Sequence, residues 1–173
     1  MHIFIELKPD TLFIKMTSKL SLSEFRNRIK ENLDIGSPKL KLSPLSVFTM
    51  FGETSKPFYG NYDETSFRLT ANSTISPTFY ILKGEYKKVN ATVTVNYNIV
   101  SPSKFYKVWM KFFPILAWVV VNSVFFANNR SFKAFVVFNS FWVVVSLFSI
   151  WYNKRKKRKL EEKFLELFEI TRV

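Results

Sequence analysis

Between Phe112 and Asn153 the chain carries two apolar runs, and basic clusters lie outside them. The first, Phe112 to Ala127, reads FFPILAWVVVNSVFFA, and the second, Ala134 to Tyr152, reads AFVVFNSFWVVVSLFSIWY. Neither holds a charge. The charge-free stretches are 18 residues from Phe112 to Asn129 and 20 from Ala134 to Asn153. A helix rises about 1.5 Å per residue, so such stretches roughly match a hydrocarbon core of about 30 Å. The pattern predicts a two-helix transmembrane hairpin over residues 104–153, with spans at about 110–128 and 133–152.

The net charge of +13 is unevenly spread. Residues 1–103 hold 13 basic and 9 acidic side chains, whereas Lys104 to Lys159 hold 11 basic residues and no acid. A nucleic-acid binder more often spreads basic charge over its folded domain. Here the charge brackets the apolar runs, which points to anionic lipid headgroups as partner and not to nucleic acid. Lys104, Lys107 and Lys111 precede the first run; Lys154, Arg155, Lys156, Lys157, Arg158 and Lys159 follow the second. The connecting loop has only Arg130 and Lys133. The positive-inside rule then puts both termini in the cytosol and the loop outside. The N-terminal MHIFIELKPD lacks the basic start and long apolar core of a signal peptide. With no cysteine there is no disulfide and no thiolate chemistry.

Residues 1–103 read as a cytosolic α+β domain, mostly antiparallel sheet with one helix. Ile3 to Leu7 and Leu12 to Ile14 flank Lys8-Pro9-Asp10, a turn signal. Ser21 with Glu24 is a capping box, followed by Leu22, Phe25, Ile29 and Leu33 at helical spacing, with Gly36-Ser37-Pro38 as terminator. Val47 to Phe51 is a further strand. Phe58 to Tyr62 and Ser66 to Thr70 flank Asp63-Glu64; Thr78 to Tyr86 and Ala91 to Ile99 flank Lys87 to Asn90. In the last strand Val93, Val95, Tyr97 and Ile99 alternate with Thr92, Thr94, Asn96 and Asn98, which predicts one buried face and one wet or ligand-facing one. Gly60 and Gly84 fall inside strand patterns and imply bulges or close approach. Residues 154–173 read as a basic juxtamembrane segment and a short amphipathic helix. Its stripe of Leu160, Phe164, Leu167 and Phe168 needs an apolar surface on the front domain or a partner chain.

Phe58-Tyr-Gly60, Phe67-Arg-Leu69, Ser76-Pro-Thr-Phe79, Gly84 and Thr92-Val-Thr-Val95, leading into an apolar helix, resemble a family of small uncharacterised bacterial membrane proteins. The resemblance covers about residues 58–120. It departs from the family pattern at Ser-Pro-Thr-Phe and at Ala91, where a Gly is usual. It implies a bacterial inner-membrane protein with a cytosolic β domain, and carries no activity.

The sequence offers no catalytic, cofactor or metal constellation. The single histidine, His2, has no partners in sequence, and Asp10, Asp34 and Asp63 each fall in a turn signal. Asp63-Glu64 is the one adjacent carboxylate pair of the front domain and reads as a solvated hairpin tip. No phosphate-cradling Gly loop or nucleophile elbow occurs. Within the apolar runs the polar residues include two Asn-Ser pairs, Asn122-Ser123 and Asn139-Ser140. Both asparagines lie at similar depth in antiparallel spans, so they can bond each other, hold helices together, or line a pore in an oligomer. The sequence leads to a non-enzymatic membrane protein with a cytosolic interaction or ligand-sensing domain. The alternative is an oligomeric pore or membrane-perturbing effector gated by that domain.

Overall fold

The computed structural model describes residues 13–38, 56–72, 80–101, 104–127 and 131–171; side chains at 104–107 and 109–111 lie outside that description. In chain order it contains β1 (Ile14–Ser18), α1 (Leu22–Asn32), β2 (Leu33–Ile35), β3 (Phe58–Tyr62), β4 (Ser66–Ala71), β5 (Ile81–Val89), β6 (Thr92–Val100), α2 (Lys104–Ala127), α3 (Phe132–Leu167) and β7 (Ile170–Thr171). The class is α+β. The seven strands form one sheet in the order β2-β3-β4-β5-β6-β1-β7. β2 and β3 are parallel and every other pair is antiparallel, so the sheet is mixed.

The chain divides into two compact units, residues 1–100 with 157–173, and residues 101–156. In the first, one face of the sheet is apolar. Met16, Phe58, Phe67, Leu69, Leu82, Tyr86, Val93, Val95 and Tyr97 are buried on it, as strand alternation requires. Phe25 and Ile29 of α1 and Leu160 and Phe164 near the end of α3 complete the same core. α1 starts at the expected capping box: Ser21 N–H donates to Glu24 Oε2 (3.0 Å) and Glu24 N–H to Ser21 Oγ (3.3 Å). Such reciprocal bonds satisfy donors that a helix start leaves free. Leu33, expected to close the helical stripe, is instead extended and opens β2, while remaining buried.

The β3–β4 hairpin matches its sequence signal. The next hairpin is shifted: its strands run to Val89 and from Thr92, and the turn is Asn90-Ala91, with Asn90 in the left-handed region (φ 58°). Asn tolerates that conformation better than most residues. Gly60 and Gly84 lie in unbroken registers, opposite Leu69 and Tyr97, so neither marks a bulge. Both mark close approach. A Cβ on Gly84 would sit 2.5 Å from Phe67 Cζ and 2.7 Å from the Asn96 oxygen; one on Gly60 would sit 1.9 Å from the Arg68 oxygen. The strands expected at 3–7 and 47–51, the Lys8-Pro9-Asp10 turn and the Ser76–Phe79 element lie outside the described residues.

The C-terminal amphipathic helix is not separate. α3 runs 36 residues without a break, from the second apolar run through the basic cluster to Leu167. The reason is local: Lys, Arg, Leu and Glu favour helix and no Gly or Pro interrupts them. The helix stops where Glu169 turns left-handed (φ 47°) and β7 begins. Arg28 of α1 holds this end, donating to the Leu167 carbonyl (2.9 Å) and to Glu169 Oε1 (2.5 Å).

In the second unit α2 and the first part of α3 touch through Phe125–Phe138 and Phe126–Phe135 ring contacts at 5.3 and 5.6 Å. Pro114 lies inside α2, which starts at Lys104, and withholds one N–H from the ladder. Among the described residues one helix, α3, is long and apolar enough to cross a membrane, and none of its apolar window is buried within the protein. The apolar part of α2, Phe112–Ala127, is shorter.

Candidate functional site

Asn122 and Asn139, five residues from the inner ends of their helices' apolar runs, face each other. Asn139 Nδ2 donates to Asn122 Oδ1 (3.0 Å), and Asn122 Nδ2 to Asn139 Oδ1 (3.3 Å). Each amide also donates to the carbonyl one turn back, Trp118 (2.8 Å) and Phe135 (2.9 Å). Trp118 joins the pair: its indole N–H donates to Asn139 Oδ1 at 2.6 Å. The sequence reading missed Trp118 here. It stands four residues before Asn122, one helical turn away on the same face, which is the signal that could have found it. All four amide protons of the two asparagines have acceptors inside the chain. Asn122 is buried whereas the surrounding Val119, Val120, Val136 and Val137 are exposed.

Ser123 does not join this cluster. Its hydroxyl donates to the Val119 carbonyl (2.9 Å), and Ser140 is exposed. An i−4 bond of this kind satisfies a helical hydroxyl without an outside partner.

The basic cluster that follows forms a helical collar. The Arg155 guanidinium lies 5.1 Å from the Trp151 ring centre and the Lys156 ammonium 4.6 Å from that of Tyr152. Both pairs have the one-turn spacing that stacks side chains on a helix, and cations over aromatic faces are attracted. Arg158 pairs with Glu162 at 3.4 Å. Lys154, Lys157 and Lys159 are exposed. The side chains of Lys104, Lys107 and Lys111 lie outside the described residues.

Asp63 is a turn builder. Ser66 Oγ donates to its Oδ2 (2.6 Å), and the Thr65 and Ser66 N–H groups donate to Oδ1 (2.9 and 2.6 Å). These bonds, the Ser66 hydroxyl first, hold its carboxyl down at about 2. Tyr86 Oη donates to the Asp63 carbonyl and Arg26 to the Glu64 carbonyl, both at 2.7 Å. Burial raises the Tyr86 phenol. The Asp63 carboxylate and the Glu64 backbone are therefore put to structural use at an exposed hairpin tip. Among the described residues no three His, Cys, Asp or Glu side chains gather as metal ligands would. Comparison with known protein families, characterised proteins and solved structures finds no match to this chain.

Proposed function

We propose that the chain is a non-enzymatic integral membrane protein of the bacterial inner membrane. Its β-rich domain lies in the cytosol as an interaction or ligand-sensing module, and α2 with the first part of α3 forms a two-span hairpin anchor. One observation carries this reading: residues 157–173 return to finish the domain that the preceding strands begin. Leu160, Phe164, Phe168 and Ile170 are core side chains, and β7 pairs with β1. A single folded domain cannot straddle a bilayer, so the intervening residues 101–156 cross an even number of times. If α3 crosses, α2 crosses as well. The 16 residues of its apolar part span about 24 Å, and a shortfall of a few Å is absorbed by local thinning or snorkelling at fractions of a kcal/mol per Å.

Large exposed side chains along α3, such as Val144, Leu147, Phe148 and Ile150, support lipid as the solvent of this unit. The collar supports a cytosolic boundary: aromatic residues prefer the headgroup level, and basic ones the anionic inner leaflet. The pore alternative needs Asn122 and Asn139 to face water. Their amide protons are used within the chain, which favours a clasp that holds the hairpin shut.

The chain has no cysteine, so single introduced thiols report topology cleanly. A membrane-impermeant maleimide should label Ser131→Cys only from outside and Lys163→Cys only from the cytosol. Labelling of both from one side would end the two-span reading. Turnover of any nucleotide or lipid by the purified protein would end the non-enzymatic part.

A further inference from the structure

The sheet face opposite α1 is polar, and Lys15, Arg68, Lys83, Glu85 and Lys87 are exposed on it. Arg68 and Lys83 are direct cross-strand partners on β4 and β5. Antiparallel partners stand about 4.5–5.5 Å apart at Cα, and like charges so placed destabilise a sheet. Among the described residues neither cation makes a hydrogen bond or ion pair. Glu85, the neighbouring acid on this face, registers with Ser66 and Asn96 and pairs with neither cation. Asn61 stands opposite Arg68 on β3, and Asn98 opposite Lys83 on β6. One row thus runs Asn61, Arg68, Lys83, Asn98 across four adjacent strands, about 14 Å from end to end.

We propose that this row binds a phosphate-bearing anion, with Arg68 and Lys83 as its two charge contacts. The inference rests on the ligand-sensing reading above and names the ligand's chemistry. The guanidinium offers a planar fork that fits two phosphate oxygens, and the ammonium adds a point charge beside it. The exposed Asn61 amide at one end supplies a further donor. The phosphate could be carried by a small soluble molecule or by a lipid headgroup, and both present the same group to the row. A bound anion would also turn the repulsion between the two cations into attraction toward a shared centre.

The test uses the full chain in nanodiscs, with hydrogen exchange read over β4 and β5. In phosphatidylcholine discs, inorganic pyrophosphate should slow exchange at 66–71 and 81–89 in a saturable way. The double variant Arg68→Gln, Lys83→Gln should weaken this by about tenfold or more, as loss of two charge-assisted contacts predicts. Protection in phosphatidylglycerol discs without pyrophosphate, and none from pyrophosphate in phosphatidylcholine, assigns the phosphate to a headgroup. Without any anion, Arg68→Gln should raise the melting temperature by about one to a few degrees, because a like-charge pair is relieved. A lowered melting temperature would mean that Arg68 is structural. No protection in either disc, or equal protection in the double variant, overturns the proposal. Cysteine labelling at position 131 is indifferent to the pair, so the anion site can fail while the membrane topology stands.

Discussion

The two units of this protein sort their side chains in opposite ways. In the domain, rings are inside: Phe164 packs at 5.2 Å from Phe67, 5.0 Å from Phe168 and 5.6 Å from Tyr97. Charges and amides line its outer surface. In the helix pair, valines and phenylalanines are outside and the asparagines are inside, with Asn122 only 5% exposed. Water makes the first arrangement favourable, because apolar area leaves it. Where lipid is the solvent that force is absent, and helices are held by packing and by amides that have nowhere better to bond. On the membrane reading proposed above the same chain obeys two rules, and substitutions should have opposite outcomes in the two units.

The largest contrast is between Phe164→Ala and Val144→Ala. Phe164 is fully buried at the point where the returning helix meets the sheet. Removing its ring should cost the domain about 3–5 kcal/mol, enough to exhaust much of a typical stability. Val144 is 64% exposed within the protein and should shift stability by less than about 0.5 kcal/mol. Urea denaturation followed by tryptophan fluorescence and by circular dichroism separates the two, since all four tryptophans fall between residues 109 and 151. A Phe164→Ala protein with an intact domain would show that residues 157–173 only lean on the sheet, and the even-crossing argument would fall with it.

A smaller effect tests close packing within the domain. Gly84 lies under the Phe67 ring and beside Tyr97. A methyl group there has no room, so Gly84→Ala should cost about 1–3 kcal/mol as the core shifts. Ser140→Ala, on an exposed position of the helix pair, should be silent by thermal melting. If Gly84→Ala were silent too, the sheet would be less tightly filled than the ring contacts indicate.

The clasp comes next in size. Intramembrane side-chain bonds measure about 0.6 kcal/mol on average and at most about 1.7. Asn122→Leu and Asn139→Leu should each weaken the helix pair by about that amount, and the double variant should be little worse than either. Trp118→Phe keeps the ring and loses the N–H to Asn139, so its effect should vanish in the Asn139→Leu background. Strictly additive losses in a double-mutant cycle would mean that the asparagines act on separate partners.

Periodicity made some of this visible from sequence and concealed the rest. The capping box, the β3–β4 hairpin and the alternation of Val93, Val95 and Tyr97 are local patterns, and local patterns survive folding. The polar side of β6 was expected to be wet or ligand-facing, yet Thr94 is only 7% exposed. Alternation says which way a side chain points, not what covers it. The unbroken α3 was concealed because KRKKRK reads as a boundary by charge while being good helix by propensity. β2 and β7 are three and two residues long and carry no pattern of their own. They exist because β3 and β1 offer edges. For the candidate site, the Asn122–Asn139 pair followed from equal depth, whereas Trp118 needed a rotamer that sequence does not fix. The Arg68–Lys83 row needed the register, which is a tertiary fact.

The smallest effect separates the units by pH. Residues 104–159 contain no Asp or Glu, so mild acid can act through carboxylates only on the domain. Asp63 is the clearest case, with its carboxyl lowered from an ordinary 3.8 to about 2. A group depressed in the folded state stabilises fully above its unfolded value, and that contribution is lost as pH falls through the folded one. The window therefore runs from about pH 4 down to about pH 2. Asp63→Asn removes the charge and keeps the shape. At pH 7 it should lose at most about 1 kcal/mol, because the turn is exposed and water competes for its bonds. Near pH 2 the variant and the native chain should have converging urea midpoints, while the helical signal of residues 104–156 stays flat throughout. A difference that persists unchanged to pH 2 would assign the turn's stability to the geometry of the Ser66 and Thr65 bonds, with the charge of Asp63 contributing nothing.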